Sequence, residues 1–238
     1  GFGRKKVSAL LKKYGIEIKR FKRKYSSYYE QHLNQEQIDL LVGSLLGDGC
    51  VHKHHDGENS CRFIESHSIK QMEYLEWKRG ILKNFVSGNI RFVDNSKNGS
   101  YGNGVTCVFE TVLHKEFKTF YDKFYKNKVK VVPEDIKLSS LSLATWFFDD
   151  GSVFKNGKYS YVSTFHTENF DNRDIEILRN GLKKSFNIDP FEVRVKDKYK
   201  IIRLNNLNYK KLCDIIYYHR VPCMEYKIKF FDQTSKAS

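Results

Sequence analysis

The sequence predicts an α+β protein made of two αββαββα repeats related by pseudo-twofold symmetry, after a basic, helical N-terminal extension. Two observations predict this fold. An apolar helix pattern that ends in an acid followed by glycine occurs at Leu41–Gly49 and again at Leu143–Gly151. The same order of strand pairs and helices follows each copy, as expected for an internal duplication. We therefore assign residues 1–31 to the extension, residues 34–131 to the first repeat and residues 132–238 to the second.

The extension is defined by its charge. Between Arg4 and Lys24 there are ten Lys or Arg residues and one acid, Glu17. Apolar residues between positions 7 and 21 recur at helical spacing, which is compatible with part of a helix-turn-helix. A solvated basic tail that coats phosphates explains the same pattern equally well. Under either interpretation, the candidate nucleic-acid contacts here are Lys19, Arg20 and Arg23.

The first repeat begins with a well-marked helix. Asn34 is a suitable N-cap, Gln37 follows three residues later as in a capping box, and the apolar pattern stops at Gly47. Strands are predicted over 50–55 and 60–67, joined by a turn at Asp56-Gly57. A helix over 69–85, strands over 89–94 and 105–112 and a helix over 114–125 complete the repeat.

The second repeat has the same elements after a connector that contains Pro133. An apolar helix over 142–148 runs into Asp149 and Asp150, and a hairpin around Gly157 follows. The remaining elements are a helix over 171–186, strands over 191–195 and 200–204, and a helix over 209–218.

Composition limits the class of partner. A formal net charge of +14 and a pI near 9.4 favour a polyanion, with nucleic acid first and acidic membrane surfaces second. We find no apolar run of membrane-spanning length and no hydrophobic signal region, which predicts an intracellular, non-secreted protein without a membrane partner. Five scattered cysteines without a Cys-x-x-Cys pair are expected to be reduced thiols.

The two apolar helices carry the candidate chemistry. Asp48 and Asp150 follow helix C-termini, where the helix dipole disfavours a carboxylate, so a positive group is expected nearby. Gly43 and Gly47 lie on one helix face and allow another backbone to approach closely. If the second helix is that partner, the two acids converge and can share Mg²⁺ or Mn²⁺. Thr145 and Asp149 are larger than the small residues expected at this interface and predict a more difficult packing.

The two segments resemble the duplicated LAGLIDADG motif of single-chain homing endonucleases, and the likeness extends over residues 34–231. The resemblance implies a saddle of antiparallel sheets with the motif helices at the interface. By position, it implies that Asp48 and Asp150 bind the catalytic metals, with the backbone carbonyls of Gly47 and Asp149 as further ligands. It also implies that residues at the ends of the first hairpins order water near the metals and that two lysines supply positive charge. Those four residues are Glu65, His166, Lys130 and Lys227.

Strands with one apolar and one polar face suit a sheet that packs on helices and faces the DNA major groove. Phe191, Val193 and Val195 alternate with Glu192, Arg194 and Lys196, which predicts that the polar set faces DNA. Charges on such a face are often only solvated. The candidate DNA contacts on strands are Lys53, Arg62, Arg91, Arg194, Lys196 and Arg203.

The leading functional hypothesis is a monomeric endonuclease that cuts double-stranded DNA at a long, non-palindromic site, leaves short 3′ overhangs and serves intron homing. It would act with the DNA of a bacterial, phage or organellar host genome. The alternative is a catalytically retired relative that acts as an RNA maturase on host intron RNA or as a DNA-binding regulator. Membrane attachment through the extension is disfavoured because no lipid-facing pattern of Trp, Phe and Leu accompanies the charges.

Overall fold

A computed structural model describes residues 30–53, 61–86, 88–94, 104–158, 160–195 and 199–228. The chain divides into residues 1–31 and residues 32–238, and only the second unit is described in detail. The candidate DNA contacts Lys19, Arg20, Arg23 and Lys196 lie outside the described residues, as does the predicted turn at Asp56-Gly57.

The first repeat follows the predicted order of elements. It consists of α1 (Gln35–Leu46), β1 (Cys50–Lys53), β2 (Cys61–Ser68), a 3-10 turn (Ile69–Gln71), α2 (Met72–Ile81), β3 (Arg91–Asp94), β4 (Val105–Glu110) and α3 (Lys115–Phe124). A small hairpin follows, made of β5 (Tyr125–Lys126) and β6 (Val129–Lys130).

The second repeat has the same order. It consists of α4 (Ser140–Asp150), β7 (Gly151–Lys155), β8 (Tyr161–Phe165), α5 (Asn172–Phe186), β9 (Phe191–Val195), β10 (Tyr199–Leu204) and α6 (Asn206–Ile216). Two 3-10 turns, Tyr217–His219 and Pro222–Lys227, follow α6.

The two main sheets have matching topology. One has the strand order β1-β2-β4-β3 and the other β7-β8-β10-β9, and every pairing is antiparallel. The α+β class with antiparallel sheets is therefore confirmed. Within the described residues, no helix combines the length and apolar character that crossing a bilayer requires.

Side-chain caps set the start of both motif helices. The Asn34 side chain accepts a hydrogen bond from the Gln37 backbone at 2.9 Å, and the Gln37 side chain accepts one from Asn34 N at 3.1 Å. Ser139 and Ser142 make the same reciprocal pair at the start of α4. Because Ser139 is the cap, α4 begins at Ser140, before the predicted start at Ser142.

The motif helices α1 and α4 pack directly against each other, and two glycines permit it. A Cβ atom on Gly43 would lie 2.4 Å from Ser142 O and 2.7 Å from Thr145 Cβ. A Cβ atom on Gly47 would lie 2.4 Å from Asp149 Cβ. The expectation that Thr145 and Asp149 hinder packing is therefore wrong, since the glycines leave the space that these side chains occupy.

The β5–β6 hairpin was not predicted from the sequence. Its turn residues Asn127 and Lys128 have φ angles of 51° and 67°, and two successive positive φ angles are typical of a type I′ turn. Lys at the second position hides this turn, because that position usually holds glycine. The hairpin ends α3 at Phe124 and presents Lys130.

The orientation predicted for β9 is reversed. Directly paired residues share a sheet face, and Glu192 pairs with the core residue Ile202, whereas Phe191 pairs with Arg203. Glu192 and Arg194 therefore lie on the face that packs on helices, where Glu192 binds Arg179 of α5 at 2.9 Å. The apolar residues of this edge strand lie on the opposite face, where Phe191 is exposed. Alternation predicts two faces of β9, but the register, which places Phe191 opposite Arg203, decides that the apolar face points away from the core.

Candidate active site

Two lysines cap the C-terminal ends of the motif helices. Lys130 Nζ donates to Gly47 O and Gly49 O, both at 2.9 Å. Lys227 Nζ donates to Phe148 O at 2.5 Å and to Asp149 O at 3.2 Å. Both helix ends therefore carry the positive charge that the helix dipole and the acids require.

The segment that carries each lysine is held by a carboxylate at the start of a helix. Val132 N, just after Lys130, donates to Asp174 Oδ1 on α5 at 3.1 Å. Cys223 N, ahead of Lys227, donates to Glu73 Oε2 on α2 at 3.1 Å. Lys130 belongs to the first repeat and α5 to the second, whereas Lys227 belongs to the second repeat and α2 to the first. Each lysine is therefore positioned by a helix of the repeat that does not contain it.

Burial lowers the pKa of both lysines, and nearby acids oppose that shift. For Lys130 the largest opposing charge is Asp150, and for Lys227 it is Asp149. Burial also raises the pKa of Asp150 to about 7, with repulsion from Asp48 and then Asp149 adding to the effect. Asp48 is the strongest charged contributor to this shift. Asp48 and Asp150 therefore lie close enough for their negative charges to repel each other.

Asp149 belongs to a buried network that extends into the first repeat. Its Oδ1 accepts from Tyr74 Oη at 2.9 Å and from Lys78 Nζ at 2.7 Å. Its Oδ2 accepts from Lys78 Nζ at 2.9 Å and from Asp48 N at 3.3 Å. One carboxylate of α4 therefore joins α2 to the end of α1.

Lys78 lies between two acids. Its Nζ donates to Glu65 Oε1 at 2.5 Å as well as to Asp149, and none of the three side chains is exposed to solvent. His67 Nε2 lies 3.1 Å from Glu65 Oε1, while His67 Nδ1 lies 3.6 Å from Asp48 Oδ2. The network thus ends at the carboxylate of Asp48.

Ionisation in this network follows from burial and mutual attraction. Burial would raise the pKa of Glu65, but attraction to Lys78 and the hydrogen bond with His67 outweigh it and hold the pKa at about 2. Burial raises the pKa of Asp149 to about 6, although Lys78 opposes this shift. Burial would lower the pKa of Lys78, but the charges of Asp149 and Glu65 raise it. Lys78 is therefore a permanent cation, and Glu65 is its ionised partner.

The hydrogen bonds at each carboxylate show which acids are available to bind a metal ion and which already serve as hydrogen-bond acceptors. Single ligand atoms of Asp48, His67 and Asp149 lie within 4.8 Å of one another. Both oxygens of Asp149 already accept hydrogen bonds, and His67 Nε2 faces Glu65. Among the described residues, no donor reaches the carboxylate of Asp150, whose pKa is raised by burial and then by repulsion from Asp48 and Asp149. The Asp48 carboxylate has His67 Nδ1 at 3.6 Å but is half-exposed, so Asp48 and Asp150 form the pair whose charge and accessible oxygen atoms suit a hard divalent cation.

The other predicted site residues differ in their burial and in their distance from the helix ends. The carbonyl oxygens of Gly47 and Asp149 are at the helix ends, and each accepts a hydrogen bond from a lysine. Glu65 lies inside the buried network, whereas His166 is exposed and lies 2.9 Å from Ser152 Oγ and 3.2 Å from Glu168 Oε1.

Sheet register explains why Glu65 and His166 are not counterparts. Ile64 pairs with Cys50, two residues after Asp48, and Thr164 pairs with Ser152, two residues after Asp150. The next residues along β2 and β8, Glu65 and Phe165, are therefore equivalent. It follows that His166 corresponds to Ser66 and that Thr167 corresponds to His67.

Sequence reasoning missed Tyr74, His67 and Lys78. Tyr74 and Lys78 are four residues apart, so they share the buried face of α2. A lysine on the core face of an amphipathic helix is the signal that could have marked this network, because lysine is rarely buried without a partner. That signal does not identify the partner, because Asp149 is in the other repeat.

The candidate DNA contacts on strands fall on different faces. Arg62 and Arg91 both reach Glu110, at 3.0 Å and 3.5 Å. Arg203 lies over the ring of Phe154 at 5.3 Å on the second sheet. Arg62 and Arg203 lie between buried residues of their own strands and therefore point away from the core. Arg91 points the same way, because it pairs with Val108, whose neighbours Cys107 and Phe109 are buried. Lys53 and Arg194 are exposed, but they lie on the sheet faces that pack on the core.

Two repeats of one antiparallel α+β unit, joined through two packed helices whose C-terminal ends lead into the acid-glycine pairs Asp48-Gly49 and Asp150-Gly151, are characteristic of LAGLIDADG proteins. The chain belongs to the LAGLIDADG DNA endonuclease family, whose family model matches residues 38–212. The membership expected from the two motifs is therefore confirmed.

Relatives of known name include endonucleases and maturases. The chain is 26% identical to "Probable intron-encoded endonuclease 1" of Wickerhamomyces canadensis over 90% of both chains. It is 28% identical to "Cytochrome b mRNA maturase bI2" of Debaryomyces hansenii, over 84% of this chain and 76% of that protein. The solved structure of "The homing endonuclease I-WcaI bound to its DNA recognition sequence" matches with a TM-score of 0.79 and 24% identity. That match covers 92% of this chain and 98% of the other.

Proposed function

We propose that this protein is a divalent-metal-dependent endodeoxyribonuclease that cuts both strands of a long, non-palindromic DNA site and leaves short 3′ overhangs. The observation that carries the proposal is the convergence of Asp48 and Asp150 beside two lysine-capped helix ends. Burial and repulsion from Asp48 raise the pKa of Asp150 to about 7, and a carboxyl group with a raised pKa in such a place is typical of functional sites. A protein that only binds DNA gains nothing from acids that repel phosphate.

Asp48 and Asp150 are the residues that would hold Mg²⁺ or Mn²⁺. When bound, such ions polarise phosphate oxygens and make a water molecule more acidic. The carbonyl oxygens of Gly47 and Asp149 are adjacent, but each already accepts a lysine hydrogen bond, so we treat them as secondary candidates.

Lys130 and Lys227 act in this proposal through their charge. Each ammonium group is fixed by backbone carbonyls near the two acids, and fixed positive charge stabilises the negative charge that develops on phosphate during cleavage. His166 is exposed and polar at the end of the first hairpin of the second repeat, where it can orient water. Glu65 is buried, so its contribution is through Lys78 and His67.

Contacts to the duplex are assigned by sheet face. Arg62, Arg91 and Arg203 point away from the core and are our candidates for base and phosphate contacts in the grooves. Lys53 and Arg194 are exposed near strand ends and suit phosphate contacts. The faces of the two sheets carry different side chains, with exposed Phe191 and Phe154 in the second repeat. A single chain with unequal halves fits a non-palindromic target.

The biological setting is inferred from relatives. A relative named as an intron-encoded endonuclease supports a role in intron homing by a monomer that acts on double-stranded DNA of its host genome. A relative named as an mRNA maturase supports the second candidate, a LAGLIDADG protein that acts on intron RNA. Retention of both motif acids favours the endonuclease.

A selection on DNA tests the proposal. The full chain is incubated with a library of randomised duplexes and Mg²⁺, and the cleaved ends are sequenced. We expect one long asymmetric site and short 3′ overhangs. Asp48→Asn and Asp150→Asn should each abolish cutting while binding to the selected duplex persists. Tight binding without cleavage by the wild-type protein would overturn the endonuclease assignment, and preferential binding to intron RNA would support the maturase.

A further inference from the structure

The surroundings of the two motif acids differ between the repeats. Near Asp48, the end of β2 holds Glu65 and His67, which belong to a buried ionic network with Lys78. The register makes Phe165 and Thr167 their counterparts near Asp150. Phe165 is a core residue that packs on Trp146 and Phe147. In α5, the counterpart of α2, no lysine or arginine is buried.

Two contacts connect this network to Asp48. Asp149 Oδ2 accepts the backbone N–H of Asp48 at 3.3 Å. His67 Nδ1 lies 3.6 Å from Asp48 Oδ2, while the other ring nitrogen of His67 lies 3.1 Å from Glu65. The backbone and the carboxylate of Asp48 therefore each face a buried partner.

The partners are themselves held rigidly. Lys78 donates to both Asp149 and Glu65, and Tyr74 donates to Asp149 and lies 5.1 Å from the His67 ring, measured between ring centroids. Another rotamer of Asp149 would take its buried carboxylate away from Lys78, which is costly. Another rotamer of His67 would break its contact with Glu65. The position of Asp48 is thus determined by the five side chains of this network as well as by the end of α1.

We propose that His67 and Asp149 are positioning residues for Asp48 alone, so that the two halves of the active site are unequal and loss of the network slows cleavage of one DNA strand more than the other. This inference rests on the proposed endonuclease function. A residue that orients a metal ligand typically changes metal affinity or activity roughly 10- to 100-fold when it is replaced. Because the part of the chain that the structure describes forms no equivalent network around Asp150, the effect should be confined to one strand.

Two substitutions of His67 separate positioning from general stability. In His67→Gln the amide lies near the place of Nε2, so the contact with Glu65 is kept and the contact with Asp48 is lost. In His67→Asn the amide lies near the place of Nδ1, so the contact with Asp48 is kept and the one with Glu65 is lost. The matched control is Thr167→Val at the equivalent position of the second repeat, where the hydroxyl donates to Lys200 O.

The measurement is single-turnover cleavage of the selected duplex with each strand carrying a different label. For His67→Gln we expect the rate on one strand to fall roughly 10- to 100-fold while the other strand changes far less. His67→Asn should retain a rate ratio closer to that of the wild type, and Thr167→Val should leave the ratio unchanged. Equal slowing of both strands by His67→Gln, or no slowing, would overturn the inference.

A second readout does not depend on cleavage. Mn²⁺ binding is followed by electron paramagnetic resonance on the complex with a duplex that carries uncleavable linkages, and His67→Gln should weaken it roughly 10- to 100-fold relative to His67→Asn. If His67→Gln fails to fold, Asp149→Asn replaces it. The amide group has the same size as the carboxylate, but its N–H faces the Asp48 N–H and cannot accept that hydrogen bond. If the wild-type protein binds its duplex without cutting it, the endonuclease function is refuted. The Mn²⁺ titration would still show whether His67 and Asp149 position Asp48. Equal Mn²⁺ affinity in both His67 variants would refute the inference itself.

Discussion

Gly47 and Asp149 face each other across the interface between the motif helices, and a Cβ atom on Gly47 would lie only 2.4 Å from the Cβ of Asp149. Because Gly47 has no side chain, the charged side chain of Asp149 fits at the interface between the two helices. That carboxylate then receives Lys78 and Tyr74 from α2 and the backbone N–H of Asp48 from the end of α1. A single close approach therefore couples helix packing to the arrangement of the candidate site.

Gly47→Ala should destabilise the protein. The added methyl group would force Asp149 or the helices to move, and overpacking of this kind costs about 1–3 kcal/mol. Urea denaturation measures the effect. Gly80→Ala is the control, because nothing lies within 4 Å of a Cβ on that helical residue. Alanine in place of a helical glycine stabilises by roughly 0.5–1 kcal/mol, so the two substitutions should have opposite signs, and equal effects would contradict the packing described.

Lys78→Met should be among the most damaging single substitutions in the chain. It leaves Glu65 and Asp149 buried without their shared cation, and removal of one partner from a buried ion pair typically costs about 3–5 kcal/mol. Adding Glu65→Gln and Asp149→Asn in the same protein should recover part of the loss, because the remaining groups are then uncharged. Thermal and urea unfolding of the single and triple variants test this, and a triple variant less stable than Lys78→Met would show that the network is not primarily ionic.

Asp150→Asn should stabilise the metal-free protein at alkaline pH. The pKa of Asp150 is raised from 3.8 to about 7, so the folded state keeps its proton to a higher pH than the unfolded chain does. The associated stability is present below 3.8 and is lost as the pH rises through about 7. The variant should therefore exceed the wild type in unfolding free energy at pH 8, and the difference should shrink towards pH 5.

Divalent cations should stabilise the wild type more than Asp150→Asn, and so reverse the order of stability expected at pH 8 without metal. Ions that bind only the folded state stabilise it by mass action. We expect Mg²⁺ to raise the unfolding temperature of the wild type at pH 8 more than that of Asp150→Asn. An identical Mg²⁺ response in the two proteins would argue against Asp150 as a metal ligand.

Lys227→Met should lower both stability and cleavage. The lysine satisfies the carbonyls of Phe148 and Asp149, and a hydrogen bond from a charged group contributes roughly 1.5–3 kcal/mol. Lys130→Met should act similarly through Gly47 and Gly49. Lys126→Met, an exposed lysine on the hairpin that presents Lys130, is the control and should change little. Wild-type cleavage rates in both capping variants would remove these lysines from the mechanism.

Much of the fold could be predicted because its signals are local. Asn34 with Gln37 marks a helix start, and the two acid-glycine segments mark the helix ends and the duplication. The site was predicted as far as position in a motif allows, which includes Asp48, Asp150, Lys130 and Lys227. Their contacts at the two helix ends agree with the expected need for positive charge, while their catalytic roles remain predictions. The facing of β9 was predicted wrongly, because alternation defines two faces but does not say which one is buried.

The sequence by itself determined the class of fold, the repeat and the two acids, since each depends on residues near one another in the chain. Only the tertiary structure decided which acids are free and which are bound. Asp149 and Asp150 are neighbours with the same side chain, yet one is held by Lys78 and Tyr74, while no described donor reaches the other. That difference arises from packing between α1 and α4, two helices of different repeats, where the absence of a side chain at Gly47 leaves room for the Asp149 carboxylate in the core.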